Sequence, residues 1–495
     1  MPNGPNLEKN EHAATGAGRG VLFLTASKLY FMVAGYAVAF GLPRLLDSAG
    51  EYGDYGLVNR AVSVLNMVII GGTVQTVSRF VSLHPAHAQA ITKKAFKLQA
   101  VIGLVMASAY FGAAPFLAHA LGDSSLSGLM QFSSLIVFCY SLYAVFIGSL
   151  NGRRLFNRQA MLDAGYSTIK ASLILGAAYA GFGVQGAVIG FASASALILL
   201  PAYIASGHMK SSGMISNRRI LEFQAPMFAY NLALYLLLGL DLFAVKALCD
   251  PSVSGELAGL YTAAQYLGQL PYTLVVASTL VLFPLVSRAS SIKNRPMAAN
   301  YITTSLRYAA IVLVPLAVLL SADSTRAVLF FYPGKYADAG PALEILAFGG
   351  LLLALSALSC AAISGYGRPG IATGILFFGL LVSGFSNWFL VPLMAMKGAA
   401  LSTVLGGFAA LAAAGTFLKA RFGAFISLKT FFRLTLAGVA LWFTTRMIDW
   451  PGRPALAAKW CVLGILYFLF LWILREVKRD DITNILKNKR GRAPR

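Results

Sequence analysis

Five charged residues lie inside long apolar segments of the chain: Lys28, Arg60, Asp163, Lys170 and Asp241. A charge within a membrane span costs at least about 2.5–3.5 kcal/mol, so each of them needs a partner or a water-filled cavity. Lys28 either faces such a cavity or extends to the cytoplasmic interface. Arg60 either grips an anion with its planar guanidinium or anchors at the outer leaflet beside acidic residues. The spacing alone leaves these alternatives open.

Asp163 and Lys170 form the strongest polar stripe in the chain. They are seven residues apart, which places them two turns apart on the same face of a helix. The stripe either lines a cavity or belongs to a purely structural network of ion pairs, since buried charges pair for solvation reasons alone. Asp241 stands in the outer third of its apolar segment, with Lys246 five residues later. A structural pair between helices is one interpretation of Asp241.

Four amide side chains also lie inside predicted spans: Gln75, Asn231, Gln265 and Asn387. Such amides either hydrogen-bond a polar substrate or satisfy neighbouring backbone groups, and the second case is the commoner one.

The chain lacks the motifs of several enzyme classes. It has no GxxxxGK[ST] phosphate loop, no HExxH or other metal spacing around its five histidines, and no assembled nucleophile triad. We therefore expect a protein that is not an enzyme and needs no cofactor or metal. Its energy would come from an H+ or Na+ gradient, the membrane potential, or consumption of the product outside.

Composition shows which elements must position these residues. Of 495 residues, 58% are hydrophobic and 12% are charged, whereas soluble domains carry about 25% charged residues. Apolar runs of span length recur along the chain, which predicts an all-α integral membrane protein with about fourteen transmembrane helices. The predicted spans are 20–42, 56–79, 97–120, 127–150, 160–181, 184–206, 224–247, 260–286, 304–322, 342–364, 369–392, 397–418, 430–447 and 458–475.

The formal net charge of +22 is concentrated in alternate loops and in the C-terminal tail. By the positive-inside rule, both termini lie in the cytoplasm and the protein resides in the cytoplasmic membrane. The same distribution argues against nucleic-acid binding, because no single soluble face is basic. The predicted organisation is an N-terminal cytoplasmic tail (1–19), a six-helix lobe (20–206), a basic linker (207–223), a second six-helix lobe (224–418), two extra helices (419–475) and a basic cytoplasmic tail (476–495).

The two halves of the chain carry a faint repeat. Residues 53–55 (GDY) resemble 259–261 (GLY), and later pairs of short motifs follow in the same order at a nearly constant offset. This pattern predicts two parallel six-helix repeats related by an axis along the membrane normal. The spacing of Gly186 and Gly190 also indicates close packing between helices.

These motifs resemble the polysaccharide transporter branch of the multidrug/oligosaccharidyl-lipid/polysaccharide exporter superfamily, which includes the O-antigen (Wzx-type) flippases. The resemblance extends to about the twelfth predicted span. The segments that carry it are 51–57 (EYGDYGL), 71–80 (GGTVQTVSRF), 147–156 (IGSLNGRRLF), 183–190 (GVQGAVIG), 225–226 (AP), 240–241 (LD), 259–264 (GLYTAA), 282–284 (LFP) and 365–369 (GYGRP).

The resemblance implies two six-helix lobes forming a V around a central cavity, alternating access, and export of a polyprenyl-diphosphate-linked oligosaccharide for surface polysaccharide such as lipopolysaccharide O-antigen. Lys28, Arg60 and Lys170 would then form a cationic cavity for the diphosphate. Asp163 and Asp241 would be candidates for coupling or gating, and the four amides would contact sugar hydroxyls. Implied partners are membrane lipids and, beyond them, the polymerase and glycosyltransferases of the same pathway.

Two other functions remain to be weighed. An ion-coupled multidrug or small-molecule antiporter of the same superfamily would need a compact acidic or aromatic cavity, whereas the charges here are mainly cationic. A membrane glycosyltransferase would need a large catalytic loop with paired carboxylates, and the longest predicted loops are about 20 residues.

Overall fold

The computed structural model describes residues 6–207, 216–450 and 452–476. Within those ranges every regular element is a helix, so the prediction of an all-α membrane protein is confirmed. The chain divides into two compact units, Met1–Thr262 and Ala263–Arg495. They are called here the N-terminal and C-terminal units.

Ten helices begin in the N-terminal unit, and α4, which packs against α2, α3 and α6, is the most deeply buried of them. Helix α2 begins at a capping box, in which Ser48 Oγ accepts a hydrogen bond from the backbone N–H of Glu51 at 3.1 Å. The helices are α1 (Asn6–Gly41), α2 (Ala49–Leu83), α3 (Ala88–Ala120), α4 (Leu126–Gly152), α5 (Phe156–Ala177), α6 (Gly183–Leu197), α7 (Leu199–Ser206), α8 (Asn217–Leu237), α9 (Leu240–Leu248) and α10 (Pro251–Gly268).

Helices α5 and α6 form an antiparallel hairpin. The reversal uses Gly181 and Gly183, whose φ angles of 87° and 55° lie in the left-handed region that favours glycine. A β-carbon on Gly190 would lie 2.5 Å from the carbonyl oxygen of Leu173, so the two backbones touch here. The close packing predicted from the glycine spacing is therefore confirmed, and the apolar segment Phe156–Ser206 contains two antiparallel helices.

The C-terminal unit is built around α14, which packs against α11, α12, α15 and α16. Helix α17 packs on α12, and α18 follows α17 at the end of the described chain. The helices are α11 (Leu270–Ser291), α12 (Arg295–Ala322), α13 (Ser324–Phe331), α14 (Gly340–Gly365), α15 (Pro369–Met394), α16 (Met396–Phe422), α17 (Leu428–Met447) and α18 (Arg453–Ile473).

Eleven segments of the described chain are long and apolar enough to cross a membrane, or twelve if the bent pair Leu270–Val276 and Val281–Ser291 forms one span. The number fourteen therefore stays a prediction. Three predicted spans are interrupted. The span 184–206 breaks between α6 and α7 at Ile198, the span 224–247 breaks between α8 and α9 at Gly239, and the span 260–286 breaks at Gln269, just before Pro271.

Two of these breaks have a local explanation. A β-carbon on Gly239 would collide with the side chain of Arg60, so the position requires glycine, which is a poor helix former. Pro271 lacks a backbone N–H, and its ring excludes the carbonyl of the preceding helical turn, which separates α11 from α10.

Helical structure extends into two segments predicted to be tail or linker. Helix α1 begins at Asn6, inside the predicted tail 1–19, and α8 begins at Asn217, inside the predicted linker 207–223. Residues 208–215 of the linker and 477–495 of the basic tail lie outside the described residues. The predicted domain boundaries stay predictions.

Candidate functional site

Lys28 and Asp163 form an ion pair between α1 and α5, with 2.7 Å between Lys28 Nζ and Asp163 Oδ2. The lysine side chain is 54% exposed, whereas the aspartate side chain is 5% exposed. On its other side, Asp163 Oδ1 accepts a hydrogen bond from the Tyr143 hydroxyl of α4 at 3.3 Å. The carboxylate is thus fixed within the helices while the ammonium remains open to a ligand.

Lys170 lies two turns further along α5 and is surrounded by aromatic rings. Its Nζ is 4.8 Å from the ring centroid of Phe191, 5.4 Å from that of Phe31 and 6.0 Å from that of Tyr166. Ring faces attract a cation, and more strongly where water is excluded. Among the described residues, no carboxylate lies within ion-pair distance of Lys170. Phe31 is one turn from Lys28, so both lysines belong to the interface of α1 and α5.

We call Lys28, Asp163, Lys170 and the rings of Tyr143 and Tyr166 the cationic site. A second tyrosine of α4, Tyr140, completes its aromatic wall: the ring centroids of Tyr140, Tyr143 and Tyr166 are 5.5–5.8 Å apart. The Tyr166 hydroxyl is fixed by Ser195 of α6 at 3.0 Å.

The sequence predicted the charged residues of this site but not the pairing. Asp163 contacts Lys28 of another helix, and not Lys170 on its own helix. Tyr166 lies beside the predicted stripe of Asp163 and Lys170, but Tyr140 and Tyr143 were missed, although their three-residue spacing places both on one helix face.

The structure places the other predicted charges elsewhere in the N-terminal unit. Arg60 of α2 lies against the break at Gly239. The buried Asp241 accepts a hydrogen bond from the Tyr261 hydroxyl at 2.7 Å, while Lys246 pairs with Asp123 at 2.8 Å.

Asp123 lies in the loop between α3 and α4. Burial alone would raise the pKa of Asp123, but hydrogen bonds from Lys246 and Ser125 hold that pKa below its ordinary value. Lys246 therefore pairs with this loop, and the predicted role of Asp241 in coupling or gating stays a prediction.

Two of the predicted amides serve the backbone of their own helices. Asn231 Nδ2 donates to the carbonyl of Met227 at 2.7 Å, and Asn387 Nδ2 donates to that of Ser383 at 2.8 Å. Gln75 is exposed on α2, and Gln265 is buried in α10. None of the four belongs to the cationic site.

A seam of small residues joins α2 to the first part of α10. A β-carbon on Gly53 would lie 2.6 Å from the Gly255 carbonyl oxygen and 2.7 Å from the Gly259 nitrogen, and one on Gly259 would collide with the Ala49 carbonyl. Gly53 and Gly259 are counterparts in the predicted repeat, and so are Gly56 and Thr262, whose side chain a β-carbon on Gly56 would meet. Such contact in register is what a parallel repeat predicts. The small residues allow the two backbones to touch.

The C-terminal unit contains an apolar groove of about 1190 Å³ between α12, α14, α16 and α17. Aliphatic and aromatic side chains line most of it, and Lys419 in the last turn of α16 is the one lysine or arginine in the lining. The large residues of the wall are Leu351, Leu355, Phe348, Phe408, Phe431 and Trp442.

Residues 42–341 match the family model of polysaccharide biosynthesis proteins. The chain belongs to this family. The resemblance to the polysaccharide transporter branch of the exporter superfamily is thereby confirmed.

Solved structures show the same fold as this polysaccharide biosynthesis protein. The lipid II flippase MurJ, in an inward closed conformation, matches with a TM-score of 0.73 at 18% identity, over 92% of this chain and 98% of that one. An inward-facing multidrug resistance transporter of the MATE family gives 0.65 at 15% identity, over 78% and 94%. A superfamily transporter from Pyrococcus furiosus, described by a reversed polarity of its binding pocket, gives 0.61 at 16%, over 82% and 96%.

An uncharacterized membrane protein of Methanocaldococcus jannaschii is 29% identical over 202 residues. The match covers 39% of this polysaccharide biosynthesis protein and 39% of the relative's own length.

In the C-terminal unit of this polysaccharide biosynthesis protein, buried carboxylates lie where helices end. Glu476, just after α18, is 3% exposed and accepts hydrogen bonds from Arg307 and Arg433, both at 2.9 Å, and from Thr430 at 2.8 Å. Burial alone would raise the pKa of Glu476, but these donors hold it below its ordinary value. Asp323, at the end of α12, pairs with the buried Lys459 at 2.8 Å. Both carboxylates fix α18 to its neighbours.

No group of three or more His, Cys, Asp or Glu side chains suited to a metal occurs in the part of the chain that the structure describes.

Proposed function

We propose that this protein flips a lipid-linked oligosaccharide, joined to a polyprenyl carrier by a diphosphate, across the cytoplasmic membrane by alternating access. The observation that carries the proposal is the cationic site: two lysines lie inside apolar helices, and the one carboxylate of the site pairs with Lys28 alone. A net positive charge at that depth needs an anion from outside the chain. The diphosphate of a lipid-linked sugar supplies one.

The geometry suits this ligand in one further way. Lys28 is half exposed, so an incoming phosphate oxygen can reach its ammonium. The tyrosines of the aromatic wall are buried, so they hold Asp163 and the helices in place and do not face a sugar. Arg60, which lies on α2 beside Gly239, remains a second candidate for contact with the anion.

The groove of the C-terminal unit suits the polyprenyl chain of such a molecule. A polyprenyl chain is a long branched hydrocarbon, and the groove is lined mainly by leucine, valine and phenylalanine. Lys419 at one end of the groove can approach a phosphate or a lipid head group. The fold shared with a flippase of lipid II supports the same substrate class.

Depletion of the protein from its native host tests the proposal. We expect the lipid-linked oligosaccharide to accumulate on the cytoplasmic leaflet, where it stays inaccessible to an added periplasmic glycosidase, while surface polysaccharide falls. Accumulation on the outer leaflet instead would place the protein after the flipping step and contradict the proposal. The identity of the accumulated sugar defines the substrate, including whether the pathway is an O-antigen or lipopolysaccharide pathway.

A second candidate is an ion-coupled antiporter of small molecules, favoured by the MATE-like fold and by the buried Asp241, which is held by Tyr261. Asp163 and Asp241 are the candidate groups for H+ or Na+ coupling under either function. An antiporter predicts increased drug tolerance on expression in a sensitive host and no change in lipid-linked sugars on depletion. The reverse pair of results favours the flippase.

A further inference from the structure

The buried Lys246 of α9 pairs with Asp123 of the loop between α3 and α4. Its Nζ lies 2.8 Å from the Asp123 carboxylate, and the two side chains are 5% and 25% exposed. A β-carbon on Gly255 would lie 3.4 Å from the same Nζ, so a small residue on α10 leaves room for the lysine. In the part of the chain that the structure describes, Asp123 is the one carboxylate within ion-pair distance of Lys246. The pair therefore holds α9 to a loop that is distant in sequence.

This pair joins the two copies of the predicted repeat. Asp123 belongs to the predicted first lobe (20–206) and Lys246 to the predicted second lobe (224–418), although both lie in the N-terminal unit. The seam between α2 and α10 joins the same two copies, through the contact of Gly53 with Gly259. An ion pair and a backbone contact thus hold the second copy on the first at this end of the helices.

The positive-inside rule places this end on the outer side of the membrane. The loop that contains Asp123 and the connection that contains Asp250 have no lysine or arginine. Arg218 and Arg219, in contrast, lie in the first turn of α8, at the opposite end. An opening at Lys246 would therefore lead to the outside.

The first lobe is joined to α8 differently near the cytoplasmic end. Gln224 Nε2 donates to Thr73 Oγ1 at 2.8 Å and to Gln99 Oε1 at 3.1 Å, and each of these residues is 2% exposed. Breaking these neutral hydrogen bonds would leave buried polar groups unpaired. The Asp123 carboxylate is a quarter exposed on a loop, so water can replace Lys246 as its partner when α9 moves away. The outer contact is therefore the one that opens at lower cost.

We propose that Lys246 and Asp123 form a latch that closes the outer end of the N-terminal unit and opens when the transported molecule leaves to the outside. The inference rests on the proposed function and deepens it by naming a contact that alternating access must break. In such transport one repeat moves against the other around the substrate site. A contact that joins the two repeats at the outer end must part during that motion.

The first test measures how often this end opens. Thr262 of α10 is 2% exposed and faces Gly56 of α2, so a cysteine there reacts only when the two helices part. The reporter is Thr262→Cys in the full-length protein with its four native cysteines replaced by alanine. Spheroplasts are treated with a membrane-impermeant thiol reagent, and the rate of labelling is measured with and without the latch.

Asp123→Asn and Lys246→Met each remove the latch. We expect the labelling rate of the reporter to rise about tenfold in both variants, as expected for loss of one charge-assisted contact. Lys246→Met leaves no buried positive charge behind, so it serves as the test if Asp123→Asn inserts poorly. Asp250→Asn is the matched control: Asp250 is exposed, its carboxylate accepts a hydrogen bond from Ser252, and the labelling rate should not change.

The second test holds the latch closed. Asp123→Cys with Lys246→Cys, joined by a short bifunctional thiol reagent that contains a disulfide, should lose most of its export of surface polysaccharide and regain it after reduction. Ser78→Cys with Asn151→Cys is the control, because these side chains hydrogen-bond at 3.1 Å between two helices of the first lobe, α2 and α4. Cross-linking the control pair should leave export unchanged.

Contrary results separate this inference from the proposed function. Unchanged labelling in both latch variants, or normal export by the protein cross-linked at the latch, would overturn the latch while the proposed function stands. Faster labelling together with unchanged lipid-linked sugars on depletion would support the latch in a transporter of another substrate and refute the proposed function.

Discussion

The N-terminal unit places an acid and two lysines within the length of its helices, whereas the C-terminal unit places its buried acids where helices end. Asp163 and Lys170 lie inside α5, while Asp323 and Glu476 follow the last residues of α12 and α18. Charges at helix ends can serve anchoring alone, because the membrane interface is near. A charge in the middle of a helix has a higher solvation cost and needs another reason to be there. Under the proposed function, this difference places the contact with the anion in the first unit and the contact with the prenyl chain in the second.

The largest expected effect is loss of export in Lys28→Ala. The lysine is half exposed, so its removal deletes a contact to the anion while it changes packing little. Lys28→Arg should retain part of the activity, because it keeps the charge. Surface polysaccharide is measured beside the amount of membrane-inserted protein.

Lys419→Ala is the counterpart in the C-terminal unit. This lysine lies at the end of an apolar groove and is exposed, so export should fall by less than about twofold. Equal losses of export in Lys28→Ala and Lys419→Ala would contradict the difference between the units.

A loss smaller than that of Lys28→Ala but larger than that of Lys419→Ala is expected when the groove is filled. Ala412 lines the groove on α16, and Ala412→Trp would occupy much of the space available to a prenyl chain. Export should fall several-fold at normal protein level. Ala420→Trp, on the same helix but outside the lining, is the control and should export normally. If both variants export normally, the groove plays no part in transport.

The anchoring role of the C-terminal carboxylates predicts an effect on stability. Glu476→Gln should lower the free energy of unfolding by about 2 kcal/mol, since two arginines lose a buried carboxylate partner. Glu344→Gln, in an exposed pair, should cost less than about 1 kcal/mol. Thermal unfolding in detergent measures both, and similar losses would contradict the burial argument.

The same residue predicts a dependence on pH. Because the folded-state pKa of Glu476 is lowered, its contribution to stability is present above its ordinary value of 4.5 and is lost as the pH falls through the lowered value. The stability difference between wild type and Glu476→Gln should therefore shrink below about pH 4.5. A difference that stays constant down to pH 3 would show that the carboxylate charge contributes nothing.

The smallest effects are expected from the two amides that donate to their own helices, Asn231 in the N-terminal unit and Asn387 in the C-terminal unit. Alanine at either position should leave export within about twofold of wild type, because the freed carbonyl keeps its helical hydrogen bond. A large loss at Asn231 alone would add a sugar contact to the N-terminal unit and sharpen the contrast between the units.

Hydropathy was sufficient to predict the helical membrane fold, because that fold depends on the composition of whole spans. It did not predict the breaks at Gly239 and Gln269, since a window of eighteen residues averages over a single turn. At Gly239 the requirement for glycine comes from the side chain of Arg60, which is distant in sequence.

The sequence likewise predicted part of the candidate site. The cost of charge in lipid identifies Lys28, Asp163 and Lys170 from sequence alone. The partner of Asp163 depends on how α1 is rotated about its axis against α5, and sequence spacing within one helix carries no information on that rotation. The groove was not predicted either, because it is a gap between four helices and no single helix encodes it.

The seam between α2 and α10 bears on the origin of the chain. Two pairs of equivalent residues from the two copies of the repeat touch there: Gly53 with Gly259, and Gly56 with Thr262. Contacts between equivalent positions are the signature of a two-fold symmetric homodimer. A half-length ancestor would have dimerised through this strip, and gene duplication with fusion would then have converted an interface between subunits into one within a chain. Once fused, the copies were free to diverge, one toward charge and the other toward an apolar groove.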